Sequence, residues 1–205
     1  GKPSLLAARL SVEVKSEFVI EGRTLLAYKG WGGDVVIPGD EGIMMIGAFA
    51  FSHYDLDNEK EVETDEDGNY DFDDKKTALG NDTVTSVVIP EDVETIEKFA
   101  FYGCHKLGSV TLPKSCKTIS ESAFEGCEVL ENINLENVTV IANKAFYQCE
   151  SLTCKDLGGI GLSSIYALGD KAFAETRISE AILTNLSRSG VAAFANCSKL
   201  ETVVL

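Results

Sequence analysis

The segment 95–113, TIEKFAFYGCHKLGSVTLP, contains one complete unit of the repeat that decides the fold of this 205-residue chain. Its Ala-Phe pair ends at Phe101, with an aliphatic residue, Ile96, five positions earlier and a cysteine, Cys104, three positions later. The unit then continues as L-x-x-V-x-L-P and ends at Pro113. A repeat of this length indicates a solenoid or another stacked array.

Copies of the Ala-Phe pair recur through most of the chain. Their phenylalanines are Phe51, Phe101, Phe124, Phe146, Phe173 and Phe194, at intervals of 50, 23, 22, 27 and 21 residues. Four of them are followed by a cysteine at the same spacing: Cys104, Cys127, Cys149 and Cys197. The first interval falls to 23 residues when the 27 residues of 54–80 are treated as an insertion.

The unit predicts a short strand followed by a turn. Alternating apolar residues in V-x-L-P are typical of a strand, and the proline ends it because it cannot donate to a ladder. The Ala-Phe part is expected to form a tight turn or a short helical turn with both side chains inward. One unit cannot bury its own apolar side, but stacked copies can. The predicted fold is therefore an α/β repeat, a right-handed solenoid with a parallel β-sheet on one face and ladders of Phe and Cys in the core.

These units resemble the BspA-like leucine-rich repeats of bacterial surface proteins, most clearly in 95–113 and in TISESAFEGCEVLENINL at 118–135. The opening FVIEGRTLLAYKGWGGDVVIP at 18–38 is similar to the hairpin that starts such arrays. We therefore expect an N-terminal hairpin cap at 1–33 and leucine-rich repeats at 34–205, with the acidic insertion at 54–80. The resemblance implies a bacterial protein, secreted or at the cell surface, that mediates adhesion or other protein contacts. It supplies no catalytic residues.

Net charge excludes two classes of partner. The chain has 33 Asp and Glu against 18 Lys and Arg, a formal charge of −15. Neutralising phosphates requires clustered Lys and Arg, so neither nucleic acid nor an anionic membrane surface is an expected partner. No apolar run approaches the roughly 20 residues that span a bilayer, so membrane insertion is not expected either.

The acidic insertion leaves two interpretations open. Residues 55–74 contain 11 Asp and Glu and a single Lys. Asp65, Asp67, Asn69, Asp71 and Asp73 alternate, and alternate oxygen ligands can wrap Ca²⁺, although Lys76 stands where an EF-hand loop has Glu. The other interpretation is a hairpin that turns at Asp67-Gly68. We assign no metal ligands and no cofactor.

The same residues do not predict a catalytic site. A nucleophilic site needs a base within hydrogen-bond reach of a Ser or Cys, and His53 and His105 are the only histidines. His105 adjoins the inward-facing Cys104, so its own side chain should point toward the rim. Cysteines at the ladder positions are expected to be small buried hydrophobes rather than disulfides. We therefore expect no catalytic residue and no enzyme.

Partner contacts are expected on the outward face of the parallel sheet. The candidate residues are Ser86, Ser109, Thr111, Asn132, Asn134 and Asp156. This small, polar and nearly uncharged set suits hydrogen bonding to a protein or a glycan. The alternative function is a structural spacer that presents other domains of a longer surface protein.

Both ends of the array carry further expectations. Trp31 is expected to close the N-terminal end of the core, because an end repeat must cover an otherwise exposed face. A sugar-stacking platform of Trp31 with Tyr28 and Tyr102 is the alternative. At the C-terminal edge the last strand should be available for pairing, which predicts self-association there.

Overall fold

The computed structural model describes residues 17–54, 78–153 and 162–205, and in these ranges the repeats stack into a β-solenoid of short strands and turns. The strands are β1 (Phe18–Glu21), β2 (Thr24–Tyr28), β3 (Gly33–Val36), β4 (Met45–Ile46), β5 (Ser52–Tyr54), β6 (Ala78–Gly80), β7 (Val84–Val88), β8 (Thr95–Ile96), β9 (Ser109–Thr111), β10 (Thr118–Ile119), β11 (Asn132–Ile133), β12 (Val140–Ile141), β13 (Ala167–Leu168), β14 (Glu180–Ile182), β15 (Arg188–Ser189) and β16 (Thr202–Val204). None of the three ranges contains a helix, and hence none contains a helix that could cross a membrane.

Two sheets follow the solenoid axis. The longer has eight strands in the order β1-β2-β4-β8-β10-β12-β13-β15, and every pair in it is parallel except the β1–β2 hairpin. The shorter has four parallel strands in the order β11-β9-β7-β3. Two further pairs complete the set: the parallel β14–β16, formed by the same part of the repeat as the shorter sheet, and the antiparallel β5–β6.

The solenoid of leucine-rich repeats is confirmed, but the α/β class is not. In the described residues the Ala-Phe segments are successive turns rather than helices. The longer sheet was not predicted from the sequence. From β4 to β13 it is built from two-residue strands such as Thr95–Ile96, each of which ends at the aliphatic residue ahead of an Ala-Phe pair, whereas β15 ends at Ser189. The handedness of the solenoid stays a prediction.

A continuous stack of phenylalanine rings forms the centre of the core, as predicted. Neighbouring ring centroids are 4.6 Å apart for Phe51–Phe101, 4.9 Å for Phe101–Phe124, 5.3 Å for Phe124–Phe146, 5.1 Å for Phe146–Phe173 and 5.6 Å for Phe173–Phe194. The rings lie within 17° of parallel, and the first five are at most 1% exposed. Stacked pairs of this kind add about 0.5–1.5 kcal/mol beyond the area they bury.

The cysteines form a second ladder beside the rings. Each thiol donates to the backbone carbonyl of the phenylalanine one turn earlier: Cys104 to Phe51 at 3.4 Å, Cys127 to Phe101 at 3.2 Å, Cys149 to Phe124 at 3.1 Å and Cys197 to Phe173 at 3.0 Å. All four are free thiols. Burial raises the pKa of the Cys104 thiol to about 12. The Cys104 thiol therefore stays protonated and serves as a weak hydrogen-bond donor between turns.

Each turn reverses the chain through left-handed backbone on both sides of the ladder phenylalanine. The positive-φ residues two positions after the ring are Gly103 (65°), Gly126 (77°), Gln148 (61°), Glu175 (61°) and Asn196 (58°). Their amides hold the stack together; Gly126 N, for example, donates to Tyr147 O in the next turn at 2.9 Å. Glycine adopts this conformation without the steric cost that a Cβ brings.

Tyr28 and Phe18, rather than Trp31, cover the N-terminal end of the ring stack. The Tyr28 ring is 3% exposed, stacks on Phe51 at 5.2 Å and contacts Phe18 at 5.4 Å. Its hydroxyl accepts a hydrogen bond from Gly32 N at 3.2 Å. Trp31 is 95% exposed, so the expectation that it closes the core was wrong. Directly after Trp31 the backbone adopts positive φ at Gly32 and Gly33, and this turn leaves the Trp31 side chain outside the stack.

Replacing an interior ring should cost far more than replacing the last one. Phe124→Ala removes a fully buried ring with a stacked neighbour on each side, and we expect a loss of about 3–5 kcal/mol in the free energy of unfolding. Phe194→Ala removes a half-buried ring stacked on Phe173 and should cost clearly less. Urea unfolding followed by circular dichroism measures both. Equal losses would contradict the central role of the stack.

Glycine substitutions test the left-handed turns. Gly126→Ala should lower the free energy of unfolding by about 1–2 kcal/mol, because a Cβ is strained at this φ. Space is not the reason, since the added Cβ would lie an ordinary 3.6 Å from Gly103 Cα. The matched change Gln148→Gly relieves the same strain in the next turn, and stability should stay level or rise. Stabilisation by Gly126→Ala would show that φ does not matter there.

Candidate functional site

The outward side chains of the shorter sheet form two straight rows, which we call the candidate binding face. The backbone register places Asp34, Ser86, Ser109 and Asn132 in the first row. The second row consists of Val36, Val88, Thr111 and, directly after β11, Asn134. The intervening side chains point into the core and are at most 4% exposed: Val35, Val87, Val110 and Ile133. Period-two alternation in four successive turns thus produces one continuous outward face.

Five of the six predicted partner-binding residues lie on this face. Thr111 and Asn132 are exposed, whereas Ser86 and Ser109 are half-buried. The amide of Asn134 is already engaged: its Oδ1 accepts from Leu112 N at 2.7 Å and its Nδ2 donates to Leu112 O at 2.8 Å. Asp156 lies outside the described residues. The partner-binding role of all six stays a prediction.

Three residues of the face, Asp34, Val36 and Val88, are not among the predicted partner-binding residues, and the first two belong to a repeat from which no outward residue was predicted. Asp34 Oδ1 accepts hydrogen bonds from Ser86 Oγ at 2.7 Å and Thr85 Oγ1 at 3.1 Å. These two hydroxyls hold the pKa of the Asp34 carboxyl below its ordinary value. The signal was available, because Val35, Ile37 and Pro38 repeat the V-x-L-P spacing and place residues 34 and 36 outward.

The chemistry of the face changes along the solenoid axis. Val36 and Val88 are 68% and 41% exposed and make its N-terminal part apolar. Toward β9 and β11 its outward side chains carry hydroxyl and amide groups instead. Asp34 is the single charged residue among the eight. The face can therefore offer apolar contact at one end and hydrogen bonds at the other.

The longer sheet presents a second outward row that the sequence analysis did not identify. In register it consists of Met45, Thr95, Thr118, Val140, Ala167 and Arg188. At its C-terminal end the Arg188 guanidinium lies over the Tyr166 ring, 5.5 Å from the centroid. Unlike the candidate binding face, this row has no amide or carboxylate side chain. Its outward positions provide matched sites for control substitutions.

The remaining candidate groups do not assemble into a site within the described residues. His105 Nδ1 lies 3.1 Å from Asp82 Oδ1, and both side chains are about half exposed, 47% and 55%. No group of three or more His, Cys, Asp or Glu in those ranges could hold a metal ion. Both interpretations of the acidic insertion, calcium loop and hairpin, fall on residues outside the described ranges, and so does Cys154. The described flanks of the insertion, β5 and β6, pair with each other, with Ser52 opposite Gly80.

Two solved structures share this architecture. A leucine rich cell surface protein from Faecalibacterium prausnitzii A2-165 matches with a TM-score of 0.55 at 25% identity, over 91% of this chain and 52% of that protein. A leucine rich repeat protein from T. pallidum matches with a TM-score of 0.52 at 22% identity, over 88% of this chain and 62% of that protein. The chain thus spans about half the length of the first and under two thirds of the second. No characterised protein sequence compared with the chain gave a significant match.

The repeat itself gives the family. Residues 75–201 match the BspA type leucine rich repeat region in 6 copies, over more than half of the chain. The ring stack, the thiol ladder and the paired strands all follow the same repeat. The chain therefore belongs to the BspA type leucine-rich-repeat family.

Proposed function

We propose that this chain is a non-catalytic binding module, secreted or displayed at the cell surface, that mediates adhesion by holding a protein partner on the candidate binding face. The observation that carries the proposal is the register of β3, β7, β9 and β11, which aligns eight outward side chains into two rows. An extended, regular surface of this kind is what a stack of repeats offers a large partner. The cell-surface description of the similar F. prausnitzii protein supports the proposed location.

Charge indicates how the partner is held. The chain carries a formal charge of −15, yet the face has one carboxylate, and that group is hydrogen-bonded to Ser86 and Thr85. The exposed valines Val36 and Val88 supply apolar area beside hydroxyl and amide groups. Recognition would therefore rest on hydrogen bonds and apolar contact rather than on electrostatic steering, and a neutral face of a protein suits it better than a strongly basic one. A glycan is the second ligand class with matching hydrogen-bond chemistry.

The proposed domain division serves this function. The cap at 1–33 would shield the first turn, and the repeats at 34–205 would present the face. The insertion at 54–80 would leave and rejoin the solenoid at one place, consistent with the antiparallel pairing of β5 with β6 at its flanks. The partner-binding role predicted for Asp156 from its place in the repeat stays part of the proposal.

Binding to host extracellular-matrix proteins and glycans, with the purified chain as analyte, tests the proposal. Thr111→Arg places a long charged side chain in the second row, and we expect it to weaken binding of the captured ligand at least tenfold, or about 1.4 kcal/mol. Thr118→Arg is the matched control, because Thr118 occupies the outward row of the longer sheet. It should leave the affinity unchanged.

Three results would decide between the functions. Equal losses in Thr111→Arg and Thr118→Arg would move the binding site away from the face. Binding that falls steeply between low and high salt would contradict the uncharged mode of recognition. A wild-type chain with no ligand on the array, with or without Ca²⁺, would favour the spacer function instead.

A further inference from the structure

A glycine interrupts a third outward row beside the candidate binding face. This row precedes the first row along each strand and consists of Thr85, Gly108 and Glu131. Gly108 N donates to Thr85 O at 2.8 Å and Glu131 N donates to Gly108 O at 3.0 Å, so the three residues are equivalent in successive turns. The side chains of Thr85 and Glu131 are exposed. The row therefore has a gap at its centre, where Gly108 has no side chain.

The fold itself does not require a glycine at position 108. Its φ lies outside the left-handed region. An added Cβ would lie 3.6 Å from Thr85 O and 3.9 Å from Val129 O, which are ordinary van der Waals distances. Strand β7 pairs with β9 without a bulge, with Ser86 opposite Ser109. When conformation, crowding and a bulge are all excluded, a glycine at a strand often marks a place where another molecule approaches the backbone closely.

The gap is open between its two neighbours. Thr85 Oγ1 donates to Asp34 Oδ1 of the preceding turn at 3.1 Å, which directs the Thr85 side chain away from Gly108. Adjacent strands lie about 4.7–4.9 Å apart, so the backbones of Thr85 and Glu131 are roughly 10 Å apart. The space between them, which we call the Gly108 notch, can admit one side chain of a partner.

Glu131 determines the chemistry of the Gly108 notch. An ionised carboxylate only accepts hydrogen bonds, so a group that enters must donate one. Within the ranges that the structure describes, no Lys or Arg lies within ion-pair distance of Glu131. The neighbouring outward residues of the first row, Ser86, Ser109 and Asn132, are uncharged. The notch therefore favours an N–H or O–H donor over a carboxylate.

We propose that the Gly108 notch is the specificity-determining part of the candidate binding face and receives a donor side chain from the tip of a protein partner's loop. A side chain at the tip of a loop projects beyond its neighbours, and a gap of one residue can admit it. Its N–H or O–H group would face Glu131, and hydrogen bonds to an ionised group are roughly twice as strong as neutral ones. The proposal rests on the proposed binding function and adds where on the face a partner is selected.

Substitutions that fill the notch test the proposal. Gly108→Ala and Gly108→Gln add a small and a large side chain, and the fold should accept both because the equivalent positions carry Thr85 and Glu131. Melting temperatures by circular dichroism should stay level or rise, since replacing glycine lowers the entropy of the unfolded chain. Gly39→Ala is the matched control, because its Cβ would lie an ordinary 3.6 Å from Pro90 Cβ and its φ is not left-handed. Gly39 follows β3 and lies outside the three rows.

The probe is a phage-displayed library of short disulfide-cyclised peptides, selected on the wild-type chain after depletion on the Thr111→Arg variant. Depletion removes peptides that bind anywhere other than the candidate binding face. The remaining peptides are synthesised, and isothermal titration calorimetry gives their dissociation constants. We expect Gly108→Gln to weaken binding at least tenfold, Gly108→Ala to weaken it less, and Gly39→Ala to bind like the wild type. Glu131→Ala should weaken the same peptides, because it removes the acceptor.

The outcomes separate this proposal from the proposed function. If no peptide remains after depletion, the face is not a binding surface and both are overturned. If peptides remain but bind Gly108→Gln as tightly as the wild type, the proposed function stands and the role of the notch is overturned. Peptides that are lost in Gly108→Gln but retained in Glu131→Ala would contradict the donor contact with the carboxylate.

Discussion

Every turn of this protein depends on its neighbours to bury its apolar side. A unit of about 23 residues contributes one ring, one thiol and a few aliphatic side chains, which is too little for a core of its own. Stacking solves this, because each phenylalanine covers the ring before it at 4.6–5.6 Å. Burying a side chain of this size stabilises the fold by about 1.5–3 kcal/mol. The ring spacing is close to the roughly 4.7–4.9 Å that separates hydrogen-bonded strands, so the ring stack and both sheets share one turn-to-turn distance.

The predictable parts of the fold are those in which a distinctive residue type recurs at a fixed spacing. Phe101 and Cys104 recur at fixed spacing, so their ladders could be read from the sequence. The second sheet could not, because a two-residue strand such as Thr95–Ile96 is too short to show alternation. The left-handed residues were hidden for another reason. Gln148 and Glu175 adopt a conformation that sequence would suggest only for the glycines at equivalent positions.

The candidate site likewise divides into residues that the sequence predicted and residues that it did not. Ser109, Thr111 and Asn132 were found because their repeats are regular. Asp34 and Val36 were missed because their copy of the repeat is incomplete. Trp31 shows the opposite failure. Large apolar side chains near an end usually cover a core, but Gly32 and Gly33 adopt left-handed backbone as β3 begins, and this carries the chain past the stack. Apolar character alone could not reveal that Tyr28 already occupies the last place in the ring stack.

The stacking that builds the core also fixes the spacing of the candidate binding face. Equivalent outward residues of neighbouring turns, such as Ser86 and Ser109, lie side by side, while the alternate residues Val87 and Val110 stay in the core. An outward side chain can therefore change without disturbing the stack, because the inward side chains carry the packing. This separation explains why the face varies from the exposed Val36 to hydroxyl and amide groups while the ring stack stays constant. A layer that stacks on itself presents its outer chemistry periodically, and the chemistry of each turn is set independently of the fold.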